Sequence, residues 1–247
     1  MALLKVLMLL GLGVSVNSDV SLQKRIIGGQ NCHDTERLYH VRLESRNGTH
    51  MSRCGGSLIH PQWILTVARC WQSEPGWTNR AMLKVHPRTV IQYIQSIEQV
   101  PEIYGPDHDI ILLKLQRPVT DVPVARLPDC SYRLKKDDVV QLAGDGATTA
   151  GPNNEQLPPN APIPAHLQCV NMQVFRISVI MPPYGYIFLA SAPNRDICRG
   201  DTGGAAVYND MIYGVISFAG AKACQKPTAI LDVCGYLQWI KAVTRIQ

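Results

Sequence analysis

Short apolar runs separated by turn residues occupy most of the chain beyond residue 25. Valine, isoleucine and leucine dominate these runs, and glycine, proline or asparagine interrupts them, which is typical of β-strands joined by tight turns. The pattern predicts strands in five stretches: SLIHPQWILTV, RAMLKVHPRTVIQYI, HDIILLKL, DVVQLAG and AAVYNDMIYGVISF.

The end of the chain has a different period. In GYLQWIKAVTRIQ the apolar side chains of Tyr236, Trp239, Ile240 and Val243 share one face at helical spacing. We therefore predict a C-terminal α-helix, and an exposed loop in the proline-rich residues 151–166.

Residues 1–18 have the layout of a secretory signal peptide. Lys5 precedes an apolar stretch that ends in small residues. The stretch is short and broken by glycine, and no later segment approaches the roughly 18 uninterrupted apolar residues of a membrane span. The sequence therefore predicts a secreted, extracellular protein without a membrane span.

Cysteine usage agrees with an oxidising compartment. Eight cysteines form an even set, and neither a CxxC nor an HExxH motif is present. Disulfides are thus favoured over metal ligands, and we expect no metal or cofactor. The sequence Asn47-Gly48-Thr49 is an N-glycosylation motif, so we predict that Asn47 carries a glycan.

The charge is mildly positive. The whole sequence has a formal charge of +5, and residues 1–25 hold three basic residues and one acidic residue, so the remainder carries +3. No run of five or more like charges appears, which argues against a nucleic-acid partner. We interpret the excess as a solvated basic face, with a cationic surface-binding or host-defence protein as an alternative.

The stretch CRGDTGG, residues 198–204, surrounds an acid and a threonine with glycines. Glycine accepts positive φ and allows close backbone approach, so Gly200, Gly203 and Gly204 suggest a tight turn with exposed amides and one displayed side chain. A plain surface loop is the alternative interpretation.

Five motifs together resemble the trypsin-like serine proteases: KRIIGGQNC, CGGSLIHPQWILTVARC, DHDIILLKL, CRGDTGG and CGYLQWIKAV. The resemblance covers nearly all of residues 25–247. It implies an all-β, chymotrypsin-like fold of two packed six-stranded antiparallel β-barrels, approximately 26–128 and 129–247, with a C-terminal α-helix. It also implies four disulfides: Cys32 with Cys169, Cys54 with Cys70, Cys130 with Cys234, and Cys198 with Cys224.

The resemblance assigns catalytic positions, and two of the three are altered. Asp109 matches the orienting aspartate, but Arg69 stands where the family has its histidine base, and Thr202 stands where it has its serine. A guanidinium stays protonated and only donates, so it cannot take the proton of a nucleophile. We expect Arg69 and Asp109 to form a partly buried ion pair instead.

The rest of the implied site is mixed. The amides of Gly200 and Thr202 match an oxyanion hole. Asp196 matches the acid that gives trypsins their preference for lysine and arginine, while Ala219 and Thr228 replace pocket glycines. Phe218 and Asp145 both stand where the family has tryptophan. His60, His86 and His108 are candidate substitute bases, but a histidine displaced along the sequence is more often structural.

A zymogen junction is also implied. Residues 19–25 resemble an activation peptide ending at Arg25, and cleavage there would free the α-amino group of Ile26 to pair with Asp201. The alternative is that these residues are relics held by packing.

The favoured hypothesis is a secreted protease homologue with a degenerate triad that acts by binding an extracellular protein, after cleavage by a trypsin-like protease. A residual trypsin-like endopeptidase is the first alternative.

Overall fold

A computed structural model describes residues 26–88, 93–98, 101–147, 152–155, 162–218 and 227–246. The strands are β1 Gln30–Asn31, β2 His40–Asn47, β3 His50–His60, β4 Trp63–Thr66, β5 Thr78–Leu83, β6 Tyr93–Ser96, β7 Glu102–Ile103, β8 Ile111–Lys114, β9 Val139–Gly144, β10 Gln168–Met181, β11 Gly185–Ser191, β12 Ala205–Tyr208, β13 Met211–Phe218 and β14 Thr228–Asp232. The helix α1 spans Leu237–Thr244.

The second half of the chain forms a closed antiparallel barrel. Its six strands follow the order β10-β11-β14-β13-β12-β9, and β9 pairs with β10 to close the ring. Strand β1 is added at the edge of β10, with Gln30 opposite Cys169. Buried residues alternate along β10 as far as Val174, and its interior side chains pack against those of β9 and β14.

The first half forms a curled antiparallel sheet in the order β6-β5-β2-β3-β4-β8-β7. An isolated bridge between Ile97 and Leu115, next to β6 and β8, brings its two ends together. Its core contains Val41, Leu58 and Ile64, none of which is accessible to solvent. The predicted all-β architecture is thus confirmed, with a closed six-stranded barrel in the second half and a curled, half-barrel sheet in the first.

The helix α1 ends the chain as predicted. Ile240 on its inner face is fully buried, Trp239 and Val243 are partly buried, and Arg245 ends it in the left-handed conformation. Residues 152–155 form one short turn of the proline-rich segment, and the rest of 151–161 lies outside the described residues.

Three of the four implied disulfides are present: Cys32–Cys169, Cys54–Cys70 and Cys130–Cys234. The fourth concerns Cys198, which is buried, and Cys224, which lies outside the described residues. The predicted signal peptide 1–18 and activation peptide 19–25 also lie outside them.

Candidate functional site

A polar cluster around Asp109 joins the two barrels. Asp109 lies just before β8, Arg69 lies in a single helical turn after β4, and Ser217 lies in β13 of the other barrel. Arg69 Nη2 donates to Asp109 Oδ2 at 2.5 Å and to Ser217 Oγ at 3.1 Å. The Ser217 hydroxyl donates to the same carboxylate oxygen at 3.1 Å, and the Arg69 backbone amide donates to Oδ1 at 3.2 Å. The expected ion pair is therefore present.

Two aromatic rings hold the other side of the guanidinium. The Cζ atom of Arg69 lies 5.1 Å from the ring centre of Tyr184 and 5.6 Å from that of Phe218. Cation–π attraction operates at such distances. The Arg69 side chain is 36% exposed whereas that of Asp109 is 10% exposed, so the cation covers the acid from solvent.

The CRGDTGG segment is a tight turn with glycine at positive φ. Gly200 has φ +104°, and a Cβ there would lie 2.7 Å from Gly146 Cα, so no other residue fits without a shift. Gly203 also has positive φ, whereas Gly204 does not. The turn is tied across the barrel interface, because Gly55 N donates to Thr202 O at 2.7 Å.

The turn leaves two backbone donors unused. Within the described parts of the chain, the amides of Gly200 and Thr202 donate to no protein acceptor, and the Thr202 hydroxyl has no hydrogen-bond partner. Such a pair of amides is suited to bind an anion or a carbonyl oxygen.

Asp201, within this turn, is fully buried. Its oxygens accept from Gly146 N at 2.9 Å and Cys198 N at 2.7 Å, and no side-chain cation of the described residues contacts it. Burial raises the pKa of Asp201 to about 7, with a further upward contribution from the nearby Asp145 and Asp196 carboxylates. The two amide donors act in the opposite direction but do not cancel this effect.

A second buried acid, Asp145, pairs with a cationic side chain of the same chain. Arg42 Nε donates to Asp145 Oδ2 at 2.5 Å, and His40 Nε2 lies 3.8 Å from Oδ1. Burial alone raises the pKa of Asp145, but the His40 ring and the Arg42 guanidinium outweigh it and lower the pKa to about 2. The aspartate at the expected tryptophan position is thus part of a buried ionic cluster.

The implied substrate pocket is described in part. Asp196 is 1% exposed, its amide donates to Ile27 O at 3.1 Å, and its Oδ1 accepts from Ile197 N at 2.8 Å. Thr228 is also buried, with its hydroxyl 3.7 Å from Met172 Sδ. Ala219 lies outside the described residues.

The three candidate substitute histidines have structural contacts elsewhere. His60 Nδ1 accepts from Gln62 N, His86 Nε2 lies 3.0 Å from His33 O, and His108 Nδ1 lies 2.9 Å from Tyr236 Oη. In the described contacts none of the three reaches Thr202. These contacts agree with a structural role for each ring.

Sequence reasoning missed Ser217 and Tyr184. Ser217 directly precedes Phe218, so the motif that located Phe218 also contains it. Tyr184 lies in the turn between β10 and β11, and no local pattern links it to Arg69.

Comparison with known proteins identifies the family. The family described as Trypsin matches residues 26–240. The chain belongs to the trypsin family. It is 31% identical over 252 residues to Serine protease 1 of Canis lupus familiaris, covering 93% of this chain and 94% of that protein. It is 30% identical over 239 residues to the trypsin of Sus scrofa, with 88% and 94% covered.

A solved structure supports the same fold. Neuropsin, a serine protease expressed in the limbic system of mouse brain, superposes with a TM-score of 0.67 at 22% identity, covering 87% of this chain and 98% of that chain. The chymotrypsin-like fold is thereby confirmed. No α-helix among the described residues has the length and apolar character needed to cross a bilayer.

Proposed function

We propose that this trypsin-family chain is a secreted protein that binds another extracellular protein and does not cleave it. The observation that carries the proposal is the position of Arg69. Its guanidinium occupies the hydrogen bond to Asp109 that the family's base requires, and it has no lone pair to accept a proton.

The nucleophile position supports the same conclusion. Thr202 has a β-methyl group that restricts χ1 and crowds the place where a substrate carbonyl would approach. Loss of the base alone costs roughly 10²- to 10⁴-fold in rate, and more where triad members act as a unit. The unused amides of Gly200 and Thr202 remain available to bind a carbonyl or carboxylate of a partner without chemistry.

Peptide hydrolysis by the cut protein tests the proposal. After cleavage at Arg25 and removal of the activating protease, arginyl and lysyl peptides should not be hydrolysed, and a serine-directed phosphonylating reagent should not label Thr202. Thr202→Ala is the matched control, because contaminating protease activity survives it. Turnover that disappears in Thr202→Ala would establish the alternative, a residual trypsin-like endopeptidase, for which Asp109, Asp196 and the intact turn speak.

We further propose that activation by cleavage is retained. Ile26 is 1% exposed and packs in the same buried cluster as Ile197 and Phe188. Asp201 is a buried acid without a described cation, so a new ammonium group at residue 26 would supply the charge that it lacks. A trypsin-like protease cutting after Arg25 is the implied activator.

N-terminal sequencing tests the activation step. The secreted form should begin Ile-Ile-Gly-Gly after exposure to a trypsin-like protease. A secreted form that starts uniformly near Asp19 and resists that protease would contradict the proposal.

A further inference from the structure

A cavity of about 500 Å³ lies under the loop that follows the Cys54–Cys70 disulfide. Residues 71–79 form one wall, and residues 96, 97 and 116 form the other. The lining combines two indole rings, Trp71 and Trp77, with the polar side chains of Glu74, Ser96 and Gln116. Aromatic faces beside hydrogen-bonding groups are suited to a sugar, which has an apolar ring face and polar hydroxyls.

The loop that forms this cavity is held by the barrel. Asn79 Nδ2 donates to Gln72 O at 2.8 Å, and Gln72 N donates back to Asn79 Oδ1 at 3.3 Å. The same Oδ1 accepts from Ser45 Oγ at 2.6 Å, so the clamp is anchored in β2. The cavity therefore exists before a ligand arrives.

The N-glycosylation motif lies at the rim of the cavity. The β2–β5 ladder ends with Arg46 opposite Thr78, so Asn47 and Trp77 are the residues that directly adjoin its last pair on the two strands. The Asn47 side chain lies against Gly76: a Cβ at that position would be 3.3 Å from Asn47 Oδ1 and 3.7 Å from Nδ2. Because Gly76 has no side chain and φ +90°, the path from Asn47 over the loop to Trp77 stays open.

We propose that Asn47 carries an N-linked glycan whose first N-acetylglucosamine residue folds over Gly76 and stacks on the Trp77 indole. The link forms when Asn47 Nδ2 loses a proton and bonds to C1 of a lipid-linked oligosaccharide, whose lipid diphosphate leaves; a transferase of the secretory pathway catalyses the transfer. The inference rests on the secretion part of the proposed function, and it is independent of whether the chain cleaves peptides.

The covalent tether favours the chain's own glycan over a sugar from another molecule. A ligand on a short tether has an effective concentration on the order of millimolar, so stacking with a dissociation constant below this value occupies the cavity. Glu74 on one wall and Ser96 and Gln116 on the other supply polar side chains that can hydrogen-bond the hydroxyls of the docked sugar.

The test uses the full chain secreted from a glycosylating host, in three forms: intact, trimmed to one N-acetylglucosamine by an endoglycosidase, and unglycosylated through Thr49→Ala. This change leaves Asn47 in place, and Thr49 is exposed. The proposal expects an upfield ring-current shift of the trimmed sugar's proton resonances. It also expects a melting temperature that is retained on trimming and falls by about 2 to 4 °C in Thr49→Ala.

Trp77→Ala closes the thermodynamic cycle, because in that background Thr49→Ala should leave the melting temperature unchanged. The proposal would be overturned if the secreted chain lacked the mass of the glycan. It would also be overturned if the sugar resonances stood at free-sugar positions and the trimmed and unglycosylated forms had equal melting temperatures. A shift of the Trp77 resonances by free N-acetylglucosamine oligomers while the chain's own sugar stays unshifted would overturn it in favour of a ligand from another molecule. The sugar resonances of the wild-type sequence test the stacking even if Trp77→Ala fails to fold. Peptide hydrolysis is measured separately and tests the proposed function.

Discussion

Asp109 and Asp201 are both buried acids of the candidate site, but their charges are balanced in different ways. Asp109 accepts from a guanidinium, a hydroxyl and a backbone amide. Asp201 accepts from two backbone amides, and burial raises its pKa to about 7. The first site is electrostatically complete in the uncut chain, and the second is not.

The contrast between the two acids bears on two parts of the proposed function, the loss of catalysis and the retention of activation. At Asp109, the Arg69 guanidinium, a permanent donor, takes the hydrogen bond that the family's base would make. At Asp201, the need for an additional cation remains, as in a chain that still responds to cleavage. The proposed function therefore treats the loss of catalysis and the retention of activation as two separate events.

The largest effect should come from Asp201 in the uncut chain. An unfolded aspartate loses its proton near pH 4, but the folded chain keeps it until about pH 7. Stability from this group is therefore present below pH 4 and is lost as the pH rises through 7, by on the order of 4 kcal/mol. Urea unfolding of wild type and Asp201→Asn at pH 4.5 and 7.5 measures it, and parallel pH profiles would contradict it. Cutting after Arg25 should flatten the wild-type profile.

Breaking the pair at the other acid should cost somewhat less. Arg69→Met leaves Asp109 without its cation, and because the Arg69 side chain is 36% exposed, we expect a loss of roughly 2 to 3 kcal/mol, below the range for fully buried pairs. Adding Asp109→Asn should recover most of it. The exposed Arg80→Met is the control and should change the free energy of unfolding by less than about 0.5 kcal/mol. Equal losses for the two arginine variants would refute the buried-pair account.

A third acid provides the opposite pH dependence. The pKa of Asp145 is lowered to about 2, so its contribution is present above about pH 4 and is lost as the pH falls through 2. We expect roughly 2 kcal/mol from this group on the acid side. Acid unfolding followed by circular dichroism should be shallower between pH 4 and 2 in Asp145→Asn than in wild type. Identical acid slopes would show that another carboxylate is responsible.

The smallest effect concerns the rings around Arg69. Phe218→Leu keeps an apolar side chain of similar size but removes a cation–π contact, which is worth about 0.5 to 1 kcal/mol at a partly exposed site. In the Arg69→Met background the same change should cost less. A double-mutant cycle measures the difference, and a coupling near zero would assign the ring to packing alone.

Strands β8, β12 and β13 were predictable from their apolar runs, whereas β2, β10, β11 and β14 lie outside the predicted stretches. The run HDIILLKL became β8, and AAVYNDMIYGVISF became the hairpin of β12 and β13. Strand β2 was not predicted, because Arg42 and Glu44 interrupt its apolar pattern. Arg42 is nevertheless buried, because its guanidinium pairs with Asp145. That partner is 103 residues away in sequence. A local pattern does not contain such a partner.

The candidate site shows the same limit. The motif positions of Asp109, Arg69 and Thr202 could be assigned by resemblance, and the Arg69–Asp109 pair followed from charge alone. The hydroxyl of Ser217 and the ring of Tyr184 could not be placed on the guanidinium, because their approach depends on how the two barrels pack. The raised pKa of Asp201 likewise arises from complete burial, which only the packed fold determines.

The first strand, β1, and the C-terminal helix, α1, each pack against the half of the molecule to which they do not belong in sequence. Strand β1 pairs with β10 and is locked by Cys32–Cys169, whereas α1 returns to the first half, where Tyr104 packs on Tyr236 and Trp239. Each half of the molecule is thus held to the other by an element from the opposite end of the sequence. If the backbone were cleaved near Pro128, the two fragments should elute together in size-exclusion chromatography. They should separate only when a reductant and a denaturant are applied together.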